Sequence, residues 1–259
     1  SYKFIILRKK IIFITGSEGQ LGERMVSLFS SKNWECYGID IYKSPNSNLN
    51  LKGYLKGDVT KRLSFNNLFK MANVNNKFEY KIALINNAGV AVFTPSEERT
   101  YEEFKKVSDI NLFGPIVGIT EFFKYFIKEK TSLKIESINV INIASIYGLI
   151  SPNENIYTDT KRNSSEIYGA SKAGLIQLTK YFATRYAKYN IQVNAIAPGG
   201  VLNENHQGAE FIKKYSNLVP QNRLCNDDEV ANLIYSIIES NCSYLTGQTI
   251  ALDGGMSSW

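Results

Sequence analysis

The segment that most constrains the fold of this chain is Ile11–Gly22. There the apolar run Ile11–Thr15 passes through Gly16-Ser17-Glu18-Gly19-Gln20-Leu21-Gly22 into a helical pattern that reaches Ser31. A strand that enters a helix through glycines makes a tight turn and leaves the first helical N–H groups without internal partners. Those groups, at the positive end of the helix dipole, suit a pyrophosphate. A glycine pattern alone is a weak signal, and its place between strand and helix gives it weight.

The alternation continues along the chain. Glu35–Asp40, Gly53–Gly57, Ile82–Asn86, Ser137–Ala144, Ile191–Ala197 and Thr249–Leu252 read as further strands. Helical patterns run over Thr100–Lys130, as two helices meeting near Asp109–Pro115, over Ser165–Tyr189 and over Asp227–Ser240. Strands alternating with helices predict an α/β fold, a single doubly wound (Rossmann-type) parallel sheet with helices on both faces. The 259 residues contain no linker, repeat or low-complexity block, so residues 1–259 are expected to form one dinucleotide-binding domain.

Composition narrows the partners. The net charge is +6, but the basic residues fall in scattered pairs such as Lys9-Lys10, Lys61-Arg62, Lys161-Arg162 and Lys213-Lys214. A nucleic-acid face would need them gathered, so none is expected. Cys36, Cys225 and Cys242 form no CxxC pair, and His206 is the single histidine, so neither a disulfide framework nor a metal site is expected. Phe4–Leu7 is too short for a secretory signal and precedes Arg8-Lys9-Lys10 instead of following it. No stretch approaches the ~20 apolar residues of a membrane span. A reducing, cytoplasmic setting and a small-molecule substrate are the expectation.

Several residues carry chemistry at their positions. Asp40 closes the second strand roughly 20 residues beyond the glycine turn, where a carboxylate accepts hydrogen bonds from an adenosine ribose. It repels a 2′-phosphate, so NAD is expected over NADP, with Lys43 nearby to soften the preference. Asp58-Val59, after the third strand, can touch the adenine, and Asp58 is equally suited to cap a turn. Asn86-Asn87-Ala88-Gly89 places small residues and amides where the chain leaves the fourth strand. Tyr168 and Lys172 lie four apart and share a helix face. An ammonium there stabilises a phenolate, and lowering the tyrosine pKa by ~3 units corresponds to ~4 kcal/mol.

Taken in order, these residues resemble the short-chain dehydrogenase/reductase family over essentially the whole chain, from the glycine turn to Leu252-Asp253-Gly254-Gly255. The family's Asn-Asn-Ala-Gly motif matches Asn86–Gly89, its helix-borne asparagine Asn111, its serine Ser145 and its Tyr-x-x-x-Lys pair Tyr168 and Lys172. Its Pro-Gly turn matches Pro198-Gly199. The resemblance implies a cofactor held by Gly16, Ser17, Gly19, Gln20, Leu21, Gly22, Asp40, Asp58, Val59, Asn87, Ala88, Gly89, Tyr168, Lys172, Pro198, Gly199 and Val201. It implies hydride transfer at a carbinol carbon, with Tyr168 as acid and base and Lys172 lowering its pKa and holding the nicotinamide ribose. Ser145 would bond the substrate oxygen, and Asn111 would hold a water that connects Lys172 to solvent.

Three features depart from the family pattern. Gln20 stands where shorter members carry glycine, the gap between Ser145 and Tyr168 is long, and the threonine usual after the Pro-Gly turn is replaced by Leu202-Asn203. The resemblance also implies a homodimer or homotetramer built on the long helices, with Phe122, Phe123, Tyr125, Phe126, Tyr181, Phe182 and Tyr186 as apolar surface or as ordinary core.

Two segments should line the substrate pocket: the polar loop Pro152–Glu166 and the stretch after Pro198-Gly199 that contains His206. The loop suits a polar, even anionic, hydroxyl compound such as a sugar or sugar phosphate, with Lys161 or Arg162 meeting the charge, and it suits equally a solvated excursion. Two other functions remain open: a 3-oxoacyl-thioester reductase using NADP, and a catalytically silent nucleotide sensor.

Overall fold

A computed structural model describes residues 7–42, 45, 48–158, 163–240 and 242–258. Its centre is a seven-stranded sheet in the order β3-β2-β1-β4-β5-β6-β7, parallel at every pairing. The strands are β1 (Arg8–Thr15), β2 (Glu35–Asp40), β3 (Gly53–Lys56), β4 (Glu79–Asn86), β5 (Lys134–Ile143), β6 (Ile191–Pro198) and β7 (Thr249–Leu252). The helices are α1 (Gln20–Ser31), α2 (Arg62–Met71), α3 (Tyr101–Ser108), α4 (Gly114–Phe123), α5 (Glu166–Tyr186), α6 (Ala209–Leu218) and α7 (Asp227–Glu239). Because β1 lies between β2 and β4, the chain winds outward in both directions from β1 and leaves a crevice above the carboxyl ends of the strands.

Parallel strands covered on both faces read as unbroken apolar runs, and Ile11–Ile14 and Ile82–Ile85 are almost fully inaccessible. One face is sealed by α2, α4 and α5, where Phe65, Phe69, Phe122, Phe126 and Phe182 pack on Phe13 and Leu84. The other is sealed by α1 and α7, with Met25, Phe29, Val230 and Ile234 against Ile12 and Ile14. A smaller cluster around Tyr215, Val219 and Met256 anchors α6 above the crevice.

The expected architecture is the observed one, with three differences. Strands β1, β4 and β5 begin earlier than their apolar runs, and charged residues at their amino ends form ion pairs: Arg8 with Glu79 and Glu136, and Lys10 and Lys81 with Glu239. Helices α2 and α6 were not expected. The expected helix junction near Asp109–Pro115 is a π-helical turn (Asp109–Phe113) inside one helix running over Tyr101–Glu129. That helix is long and apolar enough to cross a membrane, contrary to the reading that no stretch approaches a span, but its residues Val117, Phe122 and Phe126 are buried in the core. Of the aromatic residues considered for an interface, Phe122, Tyr125, Phe126, Phe182 and Tyr186 are core. Phe123 stacks on Tyr186 at 4.2 Å, and Tyr181 is exposed.

Candidate active site

The glycine turn is built for close approach. Gly16 has φ +64, and a Cβ there would lie 2.9 Å from Ala88 Cα. Gly22 packs so tightly that a Cβ would stand 2.0 Å from the Gly16 carbonyl oxygen. The turn is tied to the end of β4: Asn87 Nδ2 donates to the carbonyls of Thr15 and Gly16, and the N–H groups of Asn87 and Ala88 donate to Thr15 Oγ1 at 2.9 and 3.0 Å. Asp40, at the tip of β2, accepts the N–H of Glu18 on Oδ2 and that of Ile41 on Oδ1. These bonds fix its carboxylate at the rim.

The cleft above these residues measures about 440 Å³ and is lined by Gly16, Gly19, Gln20, Leu21, Asp40, Asp58, Val59, Asn87, Ala88 and Gly89, among others. It fits a dinucleotide: a glycine cradle that any Cβ would fill, an apolar wall, and one carboxylate where a ribose would lie.

Five expected cofactor residues are engaged within the fold itself. Ser17 is fully buried beneath the turn, its hydroxyl against Gly38, and Gly22 serves the packing of α1 on the turn. Asp58 Oδ1 accepts from Thr60 N–H and Oγ1, the turn-capping alternative, although the residue still lines the cleft. Pro198 is buried as the last residue of β6. Gln20 reaches across the crevice: its Nε2 donates to Leu202 O at 2.7 Å and its Oε1 accepts from Asn203 Nδ2 at 3.0 Å. Val201, Asn203 and the exposed His206 border the space that extends the cleft beyond Gln20. Asn203 is therefore spent on Gln20 and is not shown as a stand-in for the missing threonine.

Four side chains expected to act together do converge. Ser145 leaves β5 buried, its Oγ accepting from Tyr147 N–H at 3.2 Å, and it lines the same cavity as Tyr168. Lys172 Nζ lies 5.7 Å from the Tyr168 ring centre and donates to the Ile143 carbonyl at 2.7 Å. Asn111 sits in the π-turn, where Pro115 has no N–H to return the α-helical bond to the Asn111 carbonyl. Its side chain brackets Val90, accepting from Val90 N–H at 2.8 Å and donating to Val90 O at 2.9 Å. A Cβ on Gly89 would fall 3.4 Å from Asn111 Oδ1 and 3.5 Å from Lys172 Nζ, so both groups border one narrow space.

Burial pushes the Tyr168 phenol up, while the Ser145 hydroxyl pulls it down. Lys172 is itself buried, which lowers its ammonium to about 8. Lys172 Nζ is engaged with the Ile143 carbonyl, 5.7 Å from the Tyr168 ring centre.

Beside Tyr168 opens a second cavity, of about 220 Å³. Tyr147, Tyr157, Phe211 and Tyr215 form its walls, with Phe93 at the edge and Asn163, Ser164 and Ser165 along one side. The Tyr147 and Tyr157 hydroxyls meet at 3.0 Å, and Phe211 lies against both Tyr157 and Tyr215. The Pro152–Glu166 loop thus contributes to the pocket through Tyr157 and Asn163, while Lys161 and Arg162 lie outside the described residues, as does Lys43. The aromatic wall from α6 was missed, because α6 itself was; its signal is the spacing of Phe211 and Tyr215, four apart on one helix face.

Comparison with known proteins identifies the family. A family model described as "Enoyl-(Acyl carrier protein) reductase" matches residues 43–257. The chain is 29% identical to 3beta-hydroxysteroid dehydrogenase 1 of Eggerthella lenta, over 97% of this chain and 95% of that protein. It is 33% identical to the NADH-dependent L-xylulose reductase of Ambrosiozyma monospora, over 68% of this chain and 62% of that protein. Another curated relative is longer still, and the chain spans 44% of its length. A short-chain dehydrogenase of Leptospira borgpetersenii, solved with bound NAD+, superposes with a TM-score of 0.83 at 32% identity, over 97% of this chain and 94% of that one. With its parallel sheet, glycine cradle and serine–tyrosine–lysine group, the chain belongs to the short-chain dehydrogenase/reductase family and is a pyridine-nucleotide-dependent oxidoreductase acting on CH–OH groups.

Proposed function

We propose that the chain is an NAD(H)-dependent oxidoreductase that interconverts a hydroxyl and a carbonyl in a small polar substrate of the sugar and sugar-phosphate kind. The observation that carries this reading is that Ser145 and Tyr168 line one cavity together, with Lys172 Nζ 5.7 Å from the Tyr168 ring centre, in a fold whose dinucleotide cleft has Asp40 at its rim. Asp40 supports NAD, because a carboxylate accepts from both ribose hydroxyls and repels a phosphate on either. The NAD-bound relative and the NADH-dependent xylulose reductase support it too.

The cofactor, when bound, supplies or accepts the hydride. The glycine turn and the α1 N-terminus hold its pyrophosphate, Asp40 its adenosine ribose, and Lys172 its other ribose. Ser145 orients the substrate oxygen by donating to it. In reduction Tyr168 Oη gives its proton to that oxygen, and in oxidation the phenolate takes the proton back. Lys172 then supplies a positive charge near the phenolate, and the Asn111 carbonyl, short of its helical donor, holds the water through which the proton leaves. The long-helix pairing of this family further suggests a homodimer or homotetramer, in which the exposed Tyr101, Phe104, Phe113 and Tyr181 would be covered.

The competing reading is reduction of a 3-oxoacyl thioester with NADPH, which the wording of the matched family model favours. One experiment separates the two. Purified protein is mixed with NAD+ or NADP+ and sugars, sugar phosphates, polyols or hydroxyacyl thioesters, and reduced-cofactor absorbance is followed. NAD-linked turnover on a polyhydroxyl compound is expected; turnover only with NADP+ and acyl thioesters would replace the proposal. Cofactor binding without turnover on anything would mark a silent nucleotide sensor.

A further inference from the structure

The substrate cavity contains one feature that its aromatic walls do not explain. Asn163 Oδ1 is out of solvent and meets no hydrogen-bond donor among the described residues, yet its residue lines the cavity that Ser145 and Tyr168 close. A buried amide oxygen without a donor is costly, and a ligand hydroxyl in the cavity would supply the donor.

We infer that Asn163 is a specificity-determining residue that accepts a hydrogen bond from a second hydroxyl of a neutral, monocyclic substrate. The inference rests on the oxidoreductase reading above and narrows its substrate class. Three properties of the cavity decide between ligand chemistries. No charged side chain lines it among the described residues; Lys161 and Arg162, which precede Asn163, lie outside them. The unsatisfied group is an acceptor, which repels a carboxylate or phosphate oxygen and attracts a hydroxyl, a neutral group able to donate and accept. Its volume, about 220 Å³, is below the usual span of ligand pockets and admits one ring. The faces of Tyr147, Tyr157 and Phe211 give that ring apolar walls, while the Tyr147–Tyr157 hydroxyl pair keeps one edge polar.

The test uses one carbon skeleton with NAD+ as acceptor: cyclohexanol, the 1,2-, 1,3- and 1,4-cyclohexanediols, and 2-hydroxycyclohexanecarboxylate. One neutral hydrogen bond to a buried amide is worth about tenfold in kcat/KM. The best diol is therefore expected to exceed cyclohexanol about tenfold. Asn163→Leu should bring that ratio to within about threefold, through the KM for the diol, and Asn163→Ala should do the same if the larger side chain disturbs the fold. NADH binding, followed by fluorescence, reports that each variant is folded. A diol preference that survives both substitutions overturns the inference. So does a carboxylate preferred to every diol, which would point instead to Lys161 or Arg162. Absence of turnover on every cyclohexanediol, with sugars or thioesters still oxidised, contradicts the inference and leaves the oxidoreductase reading standing. Absence of turnover on all of these compounds defeats both.

Discussion

Asp40 and Lys172 are the residues at which this account is most exposed to test. The Asp40 carboxylate is held by two backbone N–H groups and stands at the rim of the dinucleotide cleft. Charge-assisted hydrogen bonds are worth about 1.5–3 kcal/mol. Asp40→Ser should therefore weaken NAD binding by roughly 10- to 150-fold and improve NADP binding, as read by fluorescence titration. An unchanged NAD affinity would remove Asp40 from the ribose site. Burial holds Lys172 at about 8, below its ordinary 10.5. Between those values the folded chain binds fewer protons than the unfolded one, so the stability contributed by Lys172 rises with pH through that window. Its whole burial penalty, about 3 kcal/mol, is present below the window. Lys172→Met removes the penalty and forfeits the bond to the Ile143 carbonyl, worth about 1 kcal/mol. The variant should be about 2 kcal/mol more stable than the parent in denaturant at pH 7, lose that advantage above pH 10.5, and turn over no substrate. A destabilised variant at pH 7 would show that the lysine is structural.

At the scale of elements, the turn after β1 and the segment after β6 act as one unit because Gln20 bridges them. The sequence marks Gln20 only as a departure from a glycine pattern. Nothing local reveals that its partners are Leu202 and Asn203, far along the chain. Gln20→Ala should raise amide exchange across residues 202–208, while leaving β1 and α1 protected. Equal exchange in both proteins would mean that the bridge does not restrain the segment. The same distinction between local and long-range information explains what was legible. The strands and the Tyr168–Lys172 pair were readable because apolar runs and helical spacing are local properties. Helices α2 and α6 escaped notice because each is only ten residues long, with apolar residues such as Phe65, Leu68 and Phe69 in one and Phe211, Ile212 and Tyr215 in the other set among polar ones. The π-turn at Asn111 was read as a break because Pro115 forbids a regular helix, and the wider turn accommodates it without ending the helix. The bond from Lys172 Nζ to the Ile143 carbonyl could not be read from spacing, since it joins residues far apart in the chain.

For the whole molecule, the doubly wound order places the loops after six strands, β1 to β6, at one end of the sheet, so that residues from Gly16 to Gly199 meet over the crevice. The long-helix face, with Tyr101, Phe104, Phe113 and Tyr181 exposed, is the expected contact between copies. Light scattering should give the mass of a dimer or tetramer, and a 29.2 kDa species at micromolar concentration would contradict that. The central claim is that Tyr168 transfers the proton that accompanies hydride transfer, and its most direct test pairs turnover with binding in Tyr168→Phe. The account predicts that NADH affinity stays within about threefold of the parent while kcat falls at least 10²-fold, the usual contribution of a positioned acid–base group. Turnover at the parent rate in a variant that still binds NADH would contradict it.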